Sequence, residues 1–309
     1  MSGNVVVLTG GVGGAKLVLG LQQYVAADRL TAIVNTGDDF RHLGLHVSPD
    51  IDTLLYTLSG KANQVQGWGR EGESWSFMAA LRELGGEDWF ALGDHDLALH
   101  VLRTARLARG EGLAAITRDF VHSWGIGMAV LPMSEQRVAT RVTTDAGDLE
   151  FQRYFVEKRC EPKVRAIEFD GADQARAAPG VVEAIGQADM ILIAPSNPFL
   201  SVDPLLAVPE LRGALEAARA PIVAVSPIVE GKAVKGPTAK LMAELGMEVS
   251  NDSIARHYRG LISGLLIHGQ DAAPSQLAVA RTDTMMRSTA DKVRVARAAL
   301  DLAGSLRSR

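Results

Sequence analysis

The chain has 309 residues, 47% of them hydrophobic and 22% charged, and 32 Lys plus Arg stand against 36 Asp plus Glu for a net charge of −4. That is the make-up of a globular chain with a substantial core, which excludes wholesale disorder, and without a positive excess a general nucleic-acid binder is disfavoured. The single cysteine, Cys160, rules out an internal disulfide, and no stretch reaches the roughly 20 apolar residues that a membrane helix needs.

Asn4 to Thr9 is a β-branched run ending in glycines, which predicts a strand buried on both faces. Ala15 to Ala27 follows with Leu17, Val18, Leu21 and Val25 at helical spacing, and Leu30 to Asn35 reads as a second strand. This opening could pass for a signal sequence, but it lacks a basic start and glycines break it, so a cytoplasmic protein is expected. From Ile51 to about His122 the patterns are helical. Arg137 to Thr144 and Asp148 to Val156, parted by Asp145-Ala146-Gly147, predict a β-hairpin. Alternation then returns, with helices over Val181 to Gln187, Leu211 to Ala218 and Thr238 to Leu245. Strands are expected within Ala188 to Ala194, Pro221 to Ser226 and Leu261 to His268, and Ala290 to Leu302 is expected as a surface helix. The fold class is therefore α/β: one domain over residues 1–309, a three-layer parallel sheet with helices on both faces, and inserted helices plus a hairpin over roughly 51–160.

The first strand runs into Thr9-Gly10-Gly11-Val12-Gly13-Gly14-Ala15-Lys16. Glycines at a strand-to-helix junction aim backbone N–H groups at an anion, and the helix N-terminus adds partial positive charge. The plain alternative is a tight turn without a ligand. A Walker loop is excluded, because Lys16 is followed by Leu17 rather than a hydroxyl residue. A nicotinamide site is disfavoured, because Asn35 stands where a ribose-binding acid is expected.

Two acidic segments follow, Asn35-Thr36-Gly37-Asp38-Asp39 and Ser48-Pro49-Asp50-Ile51-Asp52. Carboxylates beside a phosphate loop repel the ligand unless a cation bridges them, and magnesium held by one or two carboxylates plus phosphates resolves the conflict. Taken singly, Asp50 can equally be a helix cap and Asp38-Asp39 a solvated turn. His42 and His46 lack a third ligand for zinc, and His100 and His122 are expected to pack on helix faces.

In order along the chain, Thr9 to Lys16, Asn35 to Asp39, Pro49 to Thr53, Gly67-Trp68-Gly69, Trp89-Phe90 with Leu92-Gly93-Asp94, Ala194 to Pro198, and Ser226-Pro227-Ile228 with Gly231-Lys232 together resemble the 2-phospho-L-lactate transferase family of deazaflavin-cofactor biosynthesis. The resemblance implies a Rossmann-like fold, a homodimer and magnesium dependence. It implies transfer of a phospho-acyl group from a guanosine-diphosphate-linked three-carbon acid to the ribityl hydroxyl of the deazaflavin Fo, with release of GMP, as a step in coenzyme F420 biosynthesis. The donor would come from a guanylyltransferase, and neither nucleic acid nor membrane is an expected partner.

On this resemblance Gly10, Gly11, Gly13, Gly14, Asn35, Ser196, Asn197, Lys232 and Lys235 are candidates for the nucleotide and its phosphates. Asp38 and Asp50 are candidates for magnesium, and Asp50, His95 and Trp68 for Fo, with Asp50 alternatively orienting or deprotonating the attacking hydroxyl. His95 departs from the family's usual Arg or Lys, which implies altered contacts at the deazaflavin end. The donor acid stays open among phospholactate, phosphoenolpyruvate and 3-phosphoglycerate. The competing class is a nucleotide-sugar-binding regulator on a related Gly-rich fold.

Overall fold

The computed structural model describes residues 3–233 and 237–307. The strands in chain order are β1 (Val5–Thr9), β2 (Leu30–Val34), β3 (Phe40–His42), β4 (Leu45–Val47), β5 (Ala129–Pro132), β6 (Ala139–Thr144), β7 (Gly147–Glu150), β8 (Val164–Asp170), β9 (Met190–Ile193), β10 (Ile222–Val225), β11 (Ile228–Val229), β12 (Lys232–Ala233), β13 (Gly264–His268) and β14 (Ala278–Thr282). The helices are α1 (Gly11–Leu21), α2 (Pro49–Leu58), α3 (Ser76–Glu83), α4 (Asp94–Leu107), α5 (Leu113–Ser123), α6 (Val181–Gly186), α7 (Asp203–Ala207), α8 (Pro209–Glu216), α9 (Thr238–Glu244), α10 (Asn251–His257) and α11 (Thr289–Arg307). Among the described residues no helix is long and apolar enough to cross a membrane.

Seven strands form one parallel sheet in the order β14-β13-β10-β9-β1-β2-β5. Chain progression runs one way from β1 through β2 to β5 and the other way from β9 to β14. The order therefore reverses between β1 and β9, and at such a switch point the loops after the two strands diverge and leave a crevice for a ligand. The strands are short β-branched and aliphatic runs because both faces are covered. On β1, Val5 and Val7 pack into a core under α1, α2, α5 and α11, while Val6 and Leu8 pack into the opposite core under α6, α8, α9 and α10. This is the expected Rossmann-like, three-layer α/β architecture.

Four features differ in detail from the sequence reading. Helix α1 begins at Gly11, not Ala15, so the glycine run is itself the first helical turn. The hairpin β6-β7 forms about Asp145–Gly147, but the chain turns helical at Phe151, and β8 pairs with the free edge of β6 to make a three-stranded antiparallel sheet. Strand β5, inside the 51–160 stretch, pairs with β2 in the main sheet, so the added elements fall on either side of it. The C-terminal helix is also no surface element. α11 buries Val295, Ala296, Ala299, Leu300 and Ala303 against α1 and the sheet.

The α1–α11 contact is close enough to require glycine. A Cβ at Gly20 would overlap the carbonyl of Lys292 and lie 3.1 Å from the Ala296 methyl. Backbone cannot yield as a flexible side chain can, so Gly20→Ala should lower stability by about 1–3 kcal/mol. Urea unfolding is the check, and an unchanged midpoint would show that the two helices separate freely.

Candidate active site

The switch point is where the two predicted loops meet. Ser196 donates its hydroxyl proton to the Gly10 carbonyl at 2.7 Å, joining the loop after β9 to the loop after β1. A Cβ on Gly13 would lie 2.6 Å from the Pro195 carbonyl oxygen, one on Gly10 would be 2.6 Å from Asp50 Oδ2, and one on Gly14 would overlap Thr9 Oγ1. Three of the four glycines are thus demanded by the protein's own packing. Gly11 is different: its φ of +63° favours glycine, and the nearest neighbour a Cβ would meet is Asp50 Oδ1 at 3.9 Å. The first-turn amides of α1 lack intrahelical acceptors by geometry, so the helix offers N–H groups and its positive end at this point.

Asp50, in the first turn of α2, is the hub. Its Oδ1 accepts from the Gly11 N–H at 2.7 Å, and its Oδ2 accepts from Asn35 Nδ2 at 2.9 Å. Asn35 also donates to the Leu200 carbonyl at 3.2 Å and accepts from the Gly37 N–H at 2.8 Å. An aspartate at this position could not donate to Asp50, which explains physically why the end of β2 carries an amide. Asp38 is buried beside it, with Thr140 Oγ1 3.5 Å from its Oδ1 and Gln152 Nε2 3.4 Å from its carbonyl oxygen. Asp39 Oδ2 is held by the Ser48 hydroxyl at 2.7 Å and by His46 Nε2 at 3.0 Å.

Burial pushes the Asp50 carboxyl up to about 6, against the bonds from Asn35 and Gly11 that favour its charge. Burial, reinforced by the charge of Asp50, raises Asp38 well above the ordinary carboxylate range. Asp39 Oδ1, Thr9 Oγ1 and Thr36 Oγ1 are buried with no hydrogen-bond partner. Crowded carboxylates with raised pKa values, among unpartnered hard oxygens, form a donor set that fits magnesium. Among the described residues no group of three or more His, Cys, Asp or Glu is placed to enclose an ion. Magnesium does not require such a group, since it takes one or two carboxylates and completes its shell with phosphates and water.

Gly10, Gly11, Gly13, Gly14, Asn35, Asp38, Asp50, Ser196 and Asn197 therefore converge. Asn197 uses its Oδ1 to cap the turn that follows, accepting from Phe199 N–H at 3.0 Å and Leu200 N–H at 3.2 Å, and its buried Nδ2 has no partner. Lys232 is exposed on β12, and Lys235 lies outside the described residues. Trp68 is 52% exposed between Gly67 and Gly69, both at positive φ.

His95 sits apart, in the first turn of α4. It lines a cleft of about 370 Å³ with Arg70, Leu99 and Trp124, and its N–H donates to Glu73 Oε2 at 2.7 Å. Tyr56 bonds Asp96 while Arg103 bonds Asp52, so α4 runs antiparallel to α2 and His95 lies about 12 Å along the helix from Arg103, away from Asp50. His100 is buried between Asp52 and Asp96, whereas His122 is exposed.

The roles of Asp39, Thr9, Thr36, Thr140, Gln152, Asp52 and Arg103 at this centre were not read from the sequence. Asp39 had a signal in its adjacency to Asp38. Arg103, 51 positions from its partner Asp52, had none.

The raised Asp50 pKa has a stability consequence. Folding raises its affinity for a proton, so its contribution is fully present below the ordinary value of 3.8 and is lost as pH rises through about 6. Asp50→Asn keeps an acceptor for Gly11 but sets an amide nitrogen against Asn35 Nδ2, a donor–donor conflict present at every pH. Measured without metal, the stability of Asp50→Asn relative to the parent should therefore improve by up to about 3 kcal/mol between pH 4 and pH 7.5. Parallel denaturation curves across that range would contradict the burial of an ionisable Asp50.

Residues 5–303 match the family described as 2-phospho-L-lactate transferase CofD. A phosphoenolpyruvate transferase from Streptomyces griseus is 42% identical, with 98% of this chain and 99% of that protein covered. A phosphoenolpyruvate transferase from Mycolicibacterium smegmatis is 39% identical over 97% of this chain and 98% of its own. Among solved structures, protein BH3568 of the UPF0052 family from Bacillus halodurans superposes with a TM-score of 0.66 at 18% identity, covering 97% of this chain and all of the other, a likeness of fold. The chain therefore belongs to the 2-phospho-L-lactate transferase (CofD) family of transferases.

Proposed function

We propose that this protein transfers the phosphoenolpyruvyl group from a guanosine-diphosphate-linked donor to the ribityl hydroxyl of Fo, releasing GMP, in the assembly of coenzyme F420. The observation that carries the reading is the convergence of the α1 N-terminus with Asp38 and Asp50 at the β1/β9 switch point. Family membership supports the reaction class, and the names of the full-length relatives favour phosphoenolpyruvate over phospholactate or 3-phosphoglycerate as the donor acid.

In this reading the hydroxyl oxygen of the acceptor attacks the phosphorus that carries the three-carbon acid, and the bond from that phosphorus to the GMP oxygen breaks. The protein's work is positioning and charge compensation, since the transferred group needs little covalent help. The α1 N-terminus receives the donor's phosphates. Asp38 and Asp50 would hold magnesium, which when bound neutralises phosphate charge. As the alternative to holding the ion, Asp50 orients the attacking hydroxyl or takes its proton. The unpartnered Asn197 Nδ2 and the Ser196 hydroxyl face the nucleotide end, and Trp68 and His95 form the deazaflavin end.

The test is a mass-resolved assay with Fo, magnesium and each of the three guanosine-diphosphate-linked acids. A phosphodiester adduct with GMP release, fastest with phosphoenolpyruvate, is expected. Turnover by a different acid would replace the donor assignment, and no adduct together with unchanged Fo fluorescence on adding protein would favour the nucleotide-binding regulator. Asp38→Asn and Asp50→Asn should each lower turnover by at least about 100-fold, and a variant within a few fold of the parent would remove that residue from the machinery. His95→Arg should keep or improve Fo affinity, and lost binding would separate His95 from the acceptor.

A further inference from the structure

We infer that Arg103 is a positioning residue for the phosphate and metal end of the site, setting the distance between the Asp38-Asp39 loop and the Asp50 helix. The inference rests on the reading of Asp38 and Asp50 as the residues that hold the ion.

Arg103 is fully buried on α4. A buried guanidinium is costly unless its donors are matched; the Nε of this one has no partner, but it forms a two-pronged pair with Asp52, through Nη1 to Oδ2 at 3.1 Å and Nη2 to Oδ1. Asp52 stands two residues after Asp50 on α2, so the pair fixes the first turn of that helix. Nη1 also donates to the His46 carbonyl at 3.4 Å, and the next residue, Thr104, accepts the His46 N–H on its Oγ1 at 2.7 Å. Both backbone polar groups of His46 are thus taken by α4. Strand β4 is half of a two-stranded hairpin outside the main sheet, so the ladder does not fix its position relative to α2.

The His46 ring and the Ser48 hydroxyl then hold Asp39 Oδ2, leaving Oδ1 buried and unpartnered beside Asp38. Two routes lead from one side chain, one through Asp52 to Asp50 and one through His46 to Asp39. Lysine keeps the charge but not the planar fork, so it cannot serve both routes at once.

The test combines two readouts on Arg103→Lys and on the charge-neutral double variant Arg103→Met with Asp52→Leu, which keeps the fold testable if the single variant is unstable. The first is amide hydrogen exchange followed by mass spectrometry, which does not depend on any ligand. Segments 9–15, containing the Gly11 amide held by Asp50, and 43–50, containing the His46 amide, should lose protection while β9 and β10 keep theirs. The second is Mn2+ binding in the presence of GDP, followed by water-proton relaxation, where affinity should fall about tenfold or more in both variants. A role confined to packing would loosen α2 and α4 but leave the Gly11 amide and the Mn2+ affinity as in the parent, and that result overturns the proposal. Should the parent protein itself bind no Mn2+ with GDP, the metal assignment of Asp38 and Asp50 falls, and the exchange data still decide whether Arg103 holds the two loops.

Discussion

Asp50 accepts one hydrogen bond from the first amide of α1 and another from the side chain of Asn35, and those two bonds connect elements 39 and 15 residues away in the chain. The site depends on this carboxylate because it joins the glycine turn, the end of β2 and the start of α2. The arrangement is costly, since burial, outweighing the bonds from Asn35 and Gly11, raises the Asp50 pKa to about 6, and burial also raises the neighbouring Asp38 well above the ordinary carboxylate range. Carboxylates packed beside a helix N-terminus at a strand switch point are poorly compensated until something cationic joins them. A phosphate arriving alone would find an attractive helix end and repulsive side chains, whereas a phosphate accompanied by a divalent cation would find both satisfied.

The glycine turn shows how a motif can be read correctly in place and incompletely in cause. Its glycines pointed to close approach of the backbone to a ligand. The structure shows that Gly10, Gly13 and Gly14 first permit close approach of Asp50, Pro195 and Thr9, and Gly11 alone adopts the left-handed conformation with open space before it. The two causes are compatible, because a turn packed tightly from behind presents its amides forward in a fixed geometry.

Much of the sheet was legible because its strands are buried on both faces and so appear as unbroken aliphatic runs, Val5 to Leu8, Met190 to Ile193 and Ile222 to Val225. Strand β8 was not, because the alternation of Val164 to Asp170 is broken at Ala166-Ile167 and its identity depends on pairing with β6 across an intervening turn of helix. The burial of α11 was equally hidden, since its inner face mixes alanines with Val295, Leu300 and Leu302 and its close approach to α1 at Lys292 and Ala296 depends on the missing side chain at Gly20. Within the site, the acids and the loop glycines could be named from local spacing. The groups that orient them could not, because Thr140 reaches Asp38 over 102 residues and Arg103 reaches Asp52 over 51.

The place of Asn35 carries the comparison with dinucleotide-binding sheets furthest. There, an acid at the end of the second strand meets a ribose, and the glycine turn with the helix N-terminus holds a pyrophosphate. Here the amide at that position donates to Asp50 and accepts from Gly37, so it serves as a brace between two loops. The acid has in effect moved to the start of α2, directly against the first amide of α1. In the proposed function that difference matters: a ribose hydroxyl lacks its partner, and a phosphate has a neighbouring site suited to a cation. The fold is shared with many proteins, and in the proposed reaction it is this carboxylate that adapts it to phosphorus chemistry.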